Sequence, residues 1–87
     1  MIRRIAHIAI ATDSIAVTSQ FYKSLGLKLD RVEVVSDQKV KVAMMRIGDS
    51  AIELIEPTES DSPISTFLSR RGNGLHHISL EVDDLAA

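Results

Sequence analysis

The sequence contains no cysteine and only three aromatic side chains among its 87 residues. Without cysteine there is no disulfide framework and no thiolate chemistry, so any bound metal must be held by nitrogen and oxygen ligands. The three aromatics, Phe21, Tyr22 and Phe67, offer little for stacking on bases, and the formal net charge of -2 provides no electrostatic attraction to phosphates. We therefore expect no nucleic-acid partner.

Long hydrophobic runs are also missing. The apolar stretch in MIRRIAHIAIA is too short to span a membrane and lacks the run of a signal peptide. We expect no membrane partner and a cytoplasmic location. With 45% hydrophobic and 25% charged residues, the composition is that of one small globular domain, whose core is thin at this length.

A short internal repeat is present. HIAIATDSIA, starting at His7, aligns without gaps with HISLEVDDLA, starting at His77. Any strand followed by an aspartate-capped helix shares part of this pattern, so coincidence is the alternative interpretation. We favour a repeated unit because His, Ile, Asp and Ala coincide at matching positions.

Between the two copies, hydrophobic periodicity predicts a strand, a helix and three further strands. Residues 3–11 alternate as a strand, and Asp13 or Ser14 caps a helix that ends at Gly26. The stretches LKLDRVEVV, KVKVAMMRI and AIELIEP, separated by polar turns, then predict the three strands.

The segment that follows these strands is predicted to be a connector. DSP at residues 61–63 is typical of a helix start, and GNG at 72–74 ends that helix before the second copy. We therefore predict an α+β fold with a first βαβββ module over residues 1–60, a connector helix and turn over 61–74, and the start of a truncated second module over 75–87. A chain with two full units would need roughly 125 to 140 residues.

Alternation along three predicted strands places one polar side chain near the middle of each on a common face, opposite an apolar face that a helix is expected to cover. These residues are His7, Glu53 and His77. Two imidazoles and a carboxylate suit a divalent ion such as Ni²⁺, Co²⁺, Zn²⁺, Mn²⁺ or Fe²⁺, with positions left for a substrate. Each residue taken alone could be structural, but together they predict a metal site. His76 is predicted to point to the opposite face in a structural role.

Four segments of the sequence carry a family resemblance. HIAIATDS and FYKSLGL are general, whereas DSAIELIEP and DSPISTFLSRRGNGLHHISLEVDDL are more specific. They resemble the vicinal-oxygen-chelate (glyoxalase/bleomycin-resistance/dioxygenase) superfamily, and most closely its methylmalonyl-CoA epimerases. The resemblance implies metal ligands at His7, Glu53 and His77, and a fourth, a glutamate late in the second module, with no counterpart in this sequence.

The activity implied by the resemblance is epimerisation of (2R)/(2S)-methylmalonyl-CoA, an acyl-CoA thioester, through a metal-stabilised enolate, with Co, Mn, Ni or Zn as cofactor. Epimerisation needs acid–base groups on both faces of the enolate. Some family members carry a glutamate on the third strand, where this sequence has Val42. The catalytic bases are therefore unknown, and one or both are expected in an absent half. We expect the chain alone to be inactive, and to form a homodimer or to pair with a second half-domain.

Three alternatives share part of this pattern. A glyoxalase I-type lactoylglutathione lyase has the same ligand types, and the DSPI segment argues against it only moderately. An extradiol dioxygenase also uses two histidines and a carboxylate. A binding module of the bleomycin-resistance type would hold no stoichiometric metal, so metal analysis separates it from the enzymes.

Overall fold

The sequence folds into a mixed β-sheet with two helices packed on it. In a computed structural model that describes residues 1–83, the strands are β1 (Ile2–Ala11), β2 (Leu29–Val35), β3 (Val40–Ile47), β4 (Ser50–Pro57) and β5 (Gly74–Val82), and the helices are α1 (Ile15–Ser24) and α2 (Pro63–Arg71). A 3-10 helix, Ser36–Gln38, joins β2 to β3. The predicted α+β fold, βαβββ followed by a helix and one more strand, is confirmed.

The strands are ordered β2-β3-β4-β1-β5 across the sheet. Strands β2, β3 and β4 follow one another as antiparallel neighbours, whereas β1 pairs parallel with β4 and antiparallel with β5. The connection from β1 to β4 runs through α1 and two strands, which provides the long crossover that parallel pairing requires. Strand β1 is therefore flanked on both sides.

Helix α1 begins at a polar cap and ends at a glycine turn. Of the two predicted caps, Asp13 and Ser14, the structure uses Ser14, whose side chain accepts a hydrogen bond of 3.1 Å from the backbone N–H three residues later. The Glu56 carboxylate of β4 accepts a second bond, of 2.7 Å, from the backbone N–H of Ile15, where the helix dipole favours negative charge. Gly26 follows the helix with a φ of 97°, as its predicted role as a left-handed cap requires.

The two helices pack on opposite faces of the sheet. The core under α1 consists of Ile15, Ala43, Met45 and Leu54. The core under α2 consists of Ala9, Ala11, Val40, Ile55 and Ile64. The predicted apolar face is therefore covered by α1. The opposite face is also partly covered, because apolar residues at one end of it provide a surface for α2.

Helix α2 is fixed to the sheet at its first turn. Ser62 is fully buried and caps the helix, accepting a bond of 3.2 Å from the backbone N–H two residues later. Its hydroxyl also donates to the backbone carbonyl of Gln38 at 3.3 Å. Asp61, just before the cap, forms an ion pair with Lys39, which follows the 3-10 helix. The cap thus joins α2 to the β2–β3 connection.

The division into residues 1–60, 61–74 and 75–87 stays a prediction, and residues 84–87 lie outside the described part of the chain. Over residues 1–83, neither helix is long and apolar enough to cross a membrane.

The Ser62→Ala substitution should lower the free energy of unfolding by about 1–2 kcal/mol, because it removes the helix cap and leaves the Gln38 carbonyl without its donor. Urea denaturation measures the loss. The exposed neighbour provides a control, since Ser60→Ala should change stability by less than about 0.5 kcal/mol. Equal unfolding midpoints for the two variants would contradict the role of Ser62.

Candidate metal centre

Three strands bring polar side chains together around Ala9. In the β1–β4 pairing Ala9 lies opposite Glu53, and in the β1–β5 pairing it lies opposite His77. His7 is two residues before Ala9 on β1 and therefore on the same face. Residues paired across neighbouring strands point to one side of the sheet. The fully buried methyl group of Ala9 leaves space above it for the longer side chains on both sides.

The donor atoms of the three residues form a small cluster. One ligand atom each from His7, Glu53 and His77 lies within 4.8 Å of the others. His7 Nε2 is 3.9 Å from Glu53 Oε2, and the rings of His7 and His77 meet edge to face with centroids 5.5 Å apart. An ion bound by each donor at about 2.1 Å would hold the donors roughly 3 Å apart. Small side-chain rotations would therefore close the cluster around an ion.

The three clustered side chains differ in exposure, and the pKa of His77 is shifted by its surroundings. The side chains of His7 and Glu53 are 23% and 17% exposed, whereas His77 is more open to solvent. Loss of water around its ring lowers the pKa of His77, the imidazoles of His76 and His7 lower that pKa further, and Glu53 opposes the shift. The lowered pKa favours the neutral imidazole at pH 7, and metal binding requires this neutral form.

His76 lies on the same face as the cluster, and the prediction that it points to the opposite face is wrong. The β1–β5 pairing advances by one residue in β1, from Ala9 to Ile10, but by two residues in β5. His76 is the extra residue of this β-bulge, which redirects its side chain. Its ring packs edge to face on Phe67 of α2, with centroids 5.0 Å apart. Strict alternation does not apply across a bulge, and the sequence gives no local signal for one here.

The two adjacent histidines are joined by a hydrogen bond. Nδ1 of His76 and Nδ1 of His77 are 2.8 Å apart, and one of these atoms must carry the proton that the other accepts. If His77 donates, its Nε2 keeps a free lone pair that can bind a metal. His76 is then the acceptor that orients the ring, in the place that a carboxylate, a backbone carbonyl or water usually takes beside a metal-binding histidine.

A pocket of about 340 Å³ opens beside the cluster, between the sheet and α2. Glu53, His76 and His77 form one of its walls, and Glu33 also lines it. Its apolar lining consists of Val35, Val40, Val42, Ile55, Pro63 and Ile64. A few converging polar groups beside an apolar chamber are typical of small-molecule sites.

Comparison with known families places this arrangement in a structural context. The profile of the glyoxalase/bleomycin resistance protein/dioxygenase superfamily matches residues 6–87. The chain belongs to this superfamily. The match includes all three clustered residues, His7, Glu53 and His77, but their role as ligands stays a prediction.

Relatives within the superfamily include epimerases. An uncharacterized protein YqjC of Bacillus subtilis is 47% identical over 77 residues, covering 87% of this chain and 55% of the relative. The mitochondrial methylmalonyl-CoA epimerase of Mus musculus is 35% identical over 86 residues, covering 97% and 48%. A Streptomyces coelicolor methylmalonyl-CoA epimerase variant, solved with 2-nitronate-propionyl-CoA, superposes with a TM-score of 0.91 at 35% identity, covering 98% and 64%. The chain thus spans about half the length of the curated relatives it matches.

In the full-length protein, His7→Ala, Glu53→Ala and His77→Ala should each weaken divalent-metal binding without unfolding the sheet. Removal of a residue that only hydrogen-bonds to a metal ligand lowers metal affinity by roughly 10–100-fold. Removal of a ligand itself should lower the affinity by at least as much. Calorimetric titration with Co²⁺ or Zn²⁺ measures affinity, and circular dichroism checks the fold. Glu59→Ala, at an exposed site away from the cluster, is the matched control. Unchanged affinity in one variant would remove that residue from the site.

Proposed function

We propose that the protein is part of a metal-dependent epimerase that moves the α-proton of methylmalonyl-CoA. The observation that carries this proposal is the convergence of His7, Glu53 and His77 beside an apolar pocket. The epimerase relatives and the CoA thioester bound to the structural neighbour support the substrate class.

The donor set fits a divalent ion of intermediate softness. We propose His7, Glu53 and His77 as three of its ligands, with Co, Mn, Ni or Zn as the candidates. When bound, such an ion acts as a Lewis acid toward a thioester carbonyl and makes the hydrogen on the adjacent carbon more acidic. The neutral form of His77, favoured by its lowered pKa, makes a nitrogen lone pair available near pH 7.

The remaining residues of the site position the substrate and exclude water. His76, held against Phe67, fixes the orientation of the His77 ring through their hydrogen bond. Val42 and Ile55 line the pocket with apolar surface, so the acyl group lies away from bulk water, where electrostatic interactions are stronger. An acyl group in this pocket would lie between the donor cluster and the opposite wall.

Experiments can distinguish two alternative activities from the proposed epimerase. A glyoxalase I-type lyase would act on a glutathione hemithioacetal, and a bleomycin-resistance-type module would bind its ligand without metal. Homodimer formation, pairing with a second half-domain and the cytoplasmic location stay predictions.

The full-length protein should exchange the α-proton of methylmalonyl-CoA with solvent deuterium, and removal of divalent metal by a chelator should abolish the exchange. Mass spectrometry of the recovered thioester in D₂O measures it, with chelated protein reloaded with Co²⁺ as the control. Conversion of a glutathione hemithioacetal without exchange on the CoA ester would indicate a glyoxalase instead. Ligand binding without stoichiometric metal and without exchange would indicate a binding module.

A further inference from the structure

A carboxylate lies on the pocket wall opposite the donor cluster of His7, Glu53 and His77. Glu33 of β2 pairs with Val42 of β3, and both residues line the pocket together with Glu53 and His77. Among residues 1–83, Glu33 takes part in none of the ion pairs. Glu56, by contrast, is used as a cap of α1. Glu33 is therefore a pocket carboxylate without an ionic partner in the described part of the chain.

The strand register fixes where Glu33 stands relative to the cluster. Val42 pairs with Ile55, which is two residues beyond Glu53 on β4 and on the same face. Glu33 thus lies two strands away from Glu53 across the sheet and two residues away along the strand direction. These offsets correspond to about 10 Å across the sheet and about 7 Å along the strands. Both residues line the same pocket of about 340 Å³. An acyl group that occupies this pocket would therefore lie between the two glutamates.

The other titratable residues of the pocket belong to the donor cluster or adjoin it. Glu53 and His77 belong to the proposed ligand set, and His76 adjoins them, with its Nδ1 hydrogen-bonded to Nδ1 of His77. Gln38, a further pocket residue, has an amide that does not exchange protons as an acid or base near neutral pH. Within the described part of the chain, Glu33 is thus the titratable pocket residue that stands apart from the donor cluster and its neighbour His76.

We propose that Glu33 is an acid–base residue of the reaction, acting on the side of the acyl group that faces away from the donor cluster. This inference rests on the proposed epimerase function. The Glu33 carboxylate takes the α-proton, so that the C–H bond breaks, an O–H bond forms and the electron pair moves toward the thioester oxygen. A proton of solvent origin is then added to the opposite face of the carbon. Because Glu33 is exposed, its proton can return to water.

The test compares the two epimers separately. Glu33→Gln keeps the shape of the side chain but cannot accept the proton. In the full-length, metal-loaded protein, it should lower α-deuterium exchange from one epimer by at least about 100-fold, the usual lower limit for loss of a general base. Exchange from the other epimer should continue without inversion, and Co²⁺ affinity should stay within about twofold, since Glu33 is not among the three clustered donors.

Glu59→Gln is the matched control, because Glu59 is an exposed glutamate outside the pocket, and it should exchange and invert both epimers. Wild-type exchange from both epimers in Glu33→Gln would overturn the role of Glu33 and leave the epimerase proposal intact. Loss of Co²⁺ binding in that variant would also overturn it, by showing that Glu33 supports the cluster instead. If the wild-type protein exchanges neither epimer with metal bound, the proposed function is wrong and the role of Glu33 fails with it.

Discussion

The register of β1 against its two neighbours is the constraint on which the site depends. Glu53 and His77 meet because each lies opposite Ala9, one in a parallel pairing and the other in an antiparallel pairing. A slip of one residue in either pairing would turn the paired side chain to the opposite face of the sheet. The hydrogen-bond ladders therefore do more than hold the sheet together, because they also set the composition of the donor cluster.

The sheet face that carries the cluster has two parts: one part holds the donor side chains, and the other is covered by α2. Toward the end of β1, Ala11 and the neighbouring Ile55 are apolar, and α2 packs there through Ile64. The same helix brings Phe67 against His76, which is hydrogen-bonded to His77 of the cluster. Helix α2 therefore affects the surroundings of the cluster as well as the walls of the pocket. A helix that supplies no proposed ligand thus shapes both the volume available to a substrate and the orientation of a neighbouring imidazole.

Much of the fold and of the cluster could be predicted from the sequence, because both follow from period-two alternation. That alternation located the strands and placed His7, Glu53 and His77 on one face. It could not predict the bulge at His76, since one extra residue in a strand leaves no trace in hydrophobicity. Alternation also did not identify Glu33, because nothing in the local sequence distinguishes it from other solvent-exposed glutamates. Only its pairing with Val42 shows that it lies beside the pocket. Register and bulges depend on tertiary pairing and not on local composition.

The sheet order also affects how the chain reaches its native state. Strands β2 and β3 each pair with the next strand through a short turn, but β1 must close long loops to meet β4 and later β5. Loop closure of this kind costs entropy before any contact compensates for it, and such topologies fold slowly. During synthesis β1 emerges before either of its partners. Its unpaired edges are therefore exposed to other chains until β5 is made, a period in which chaperone contact would be most useful.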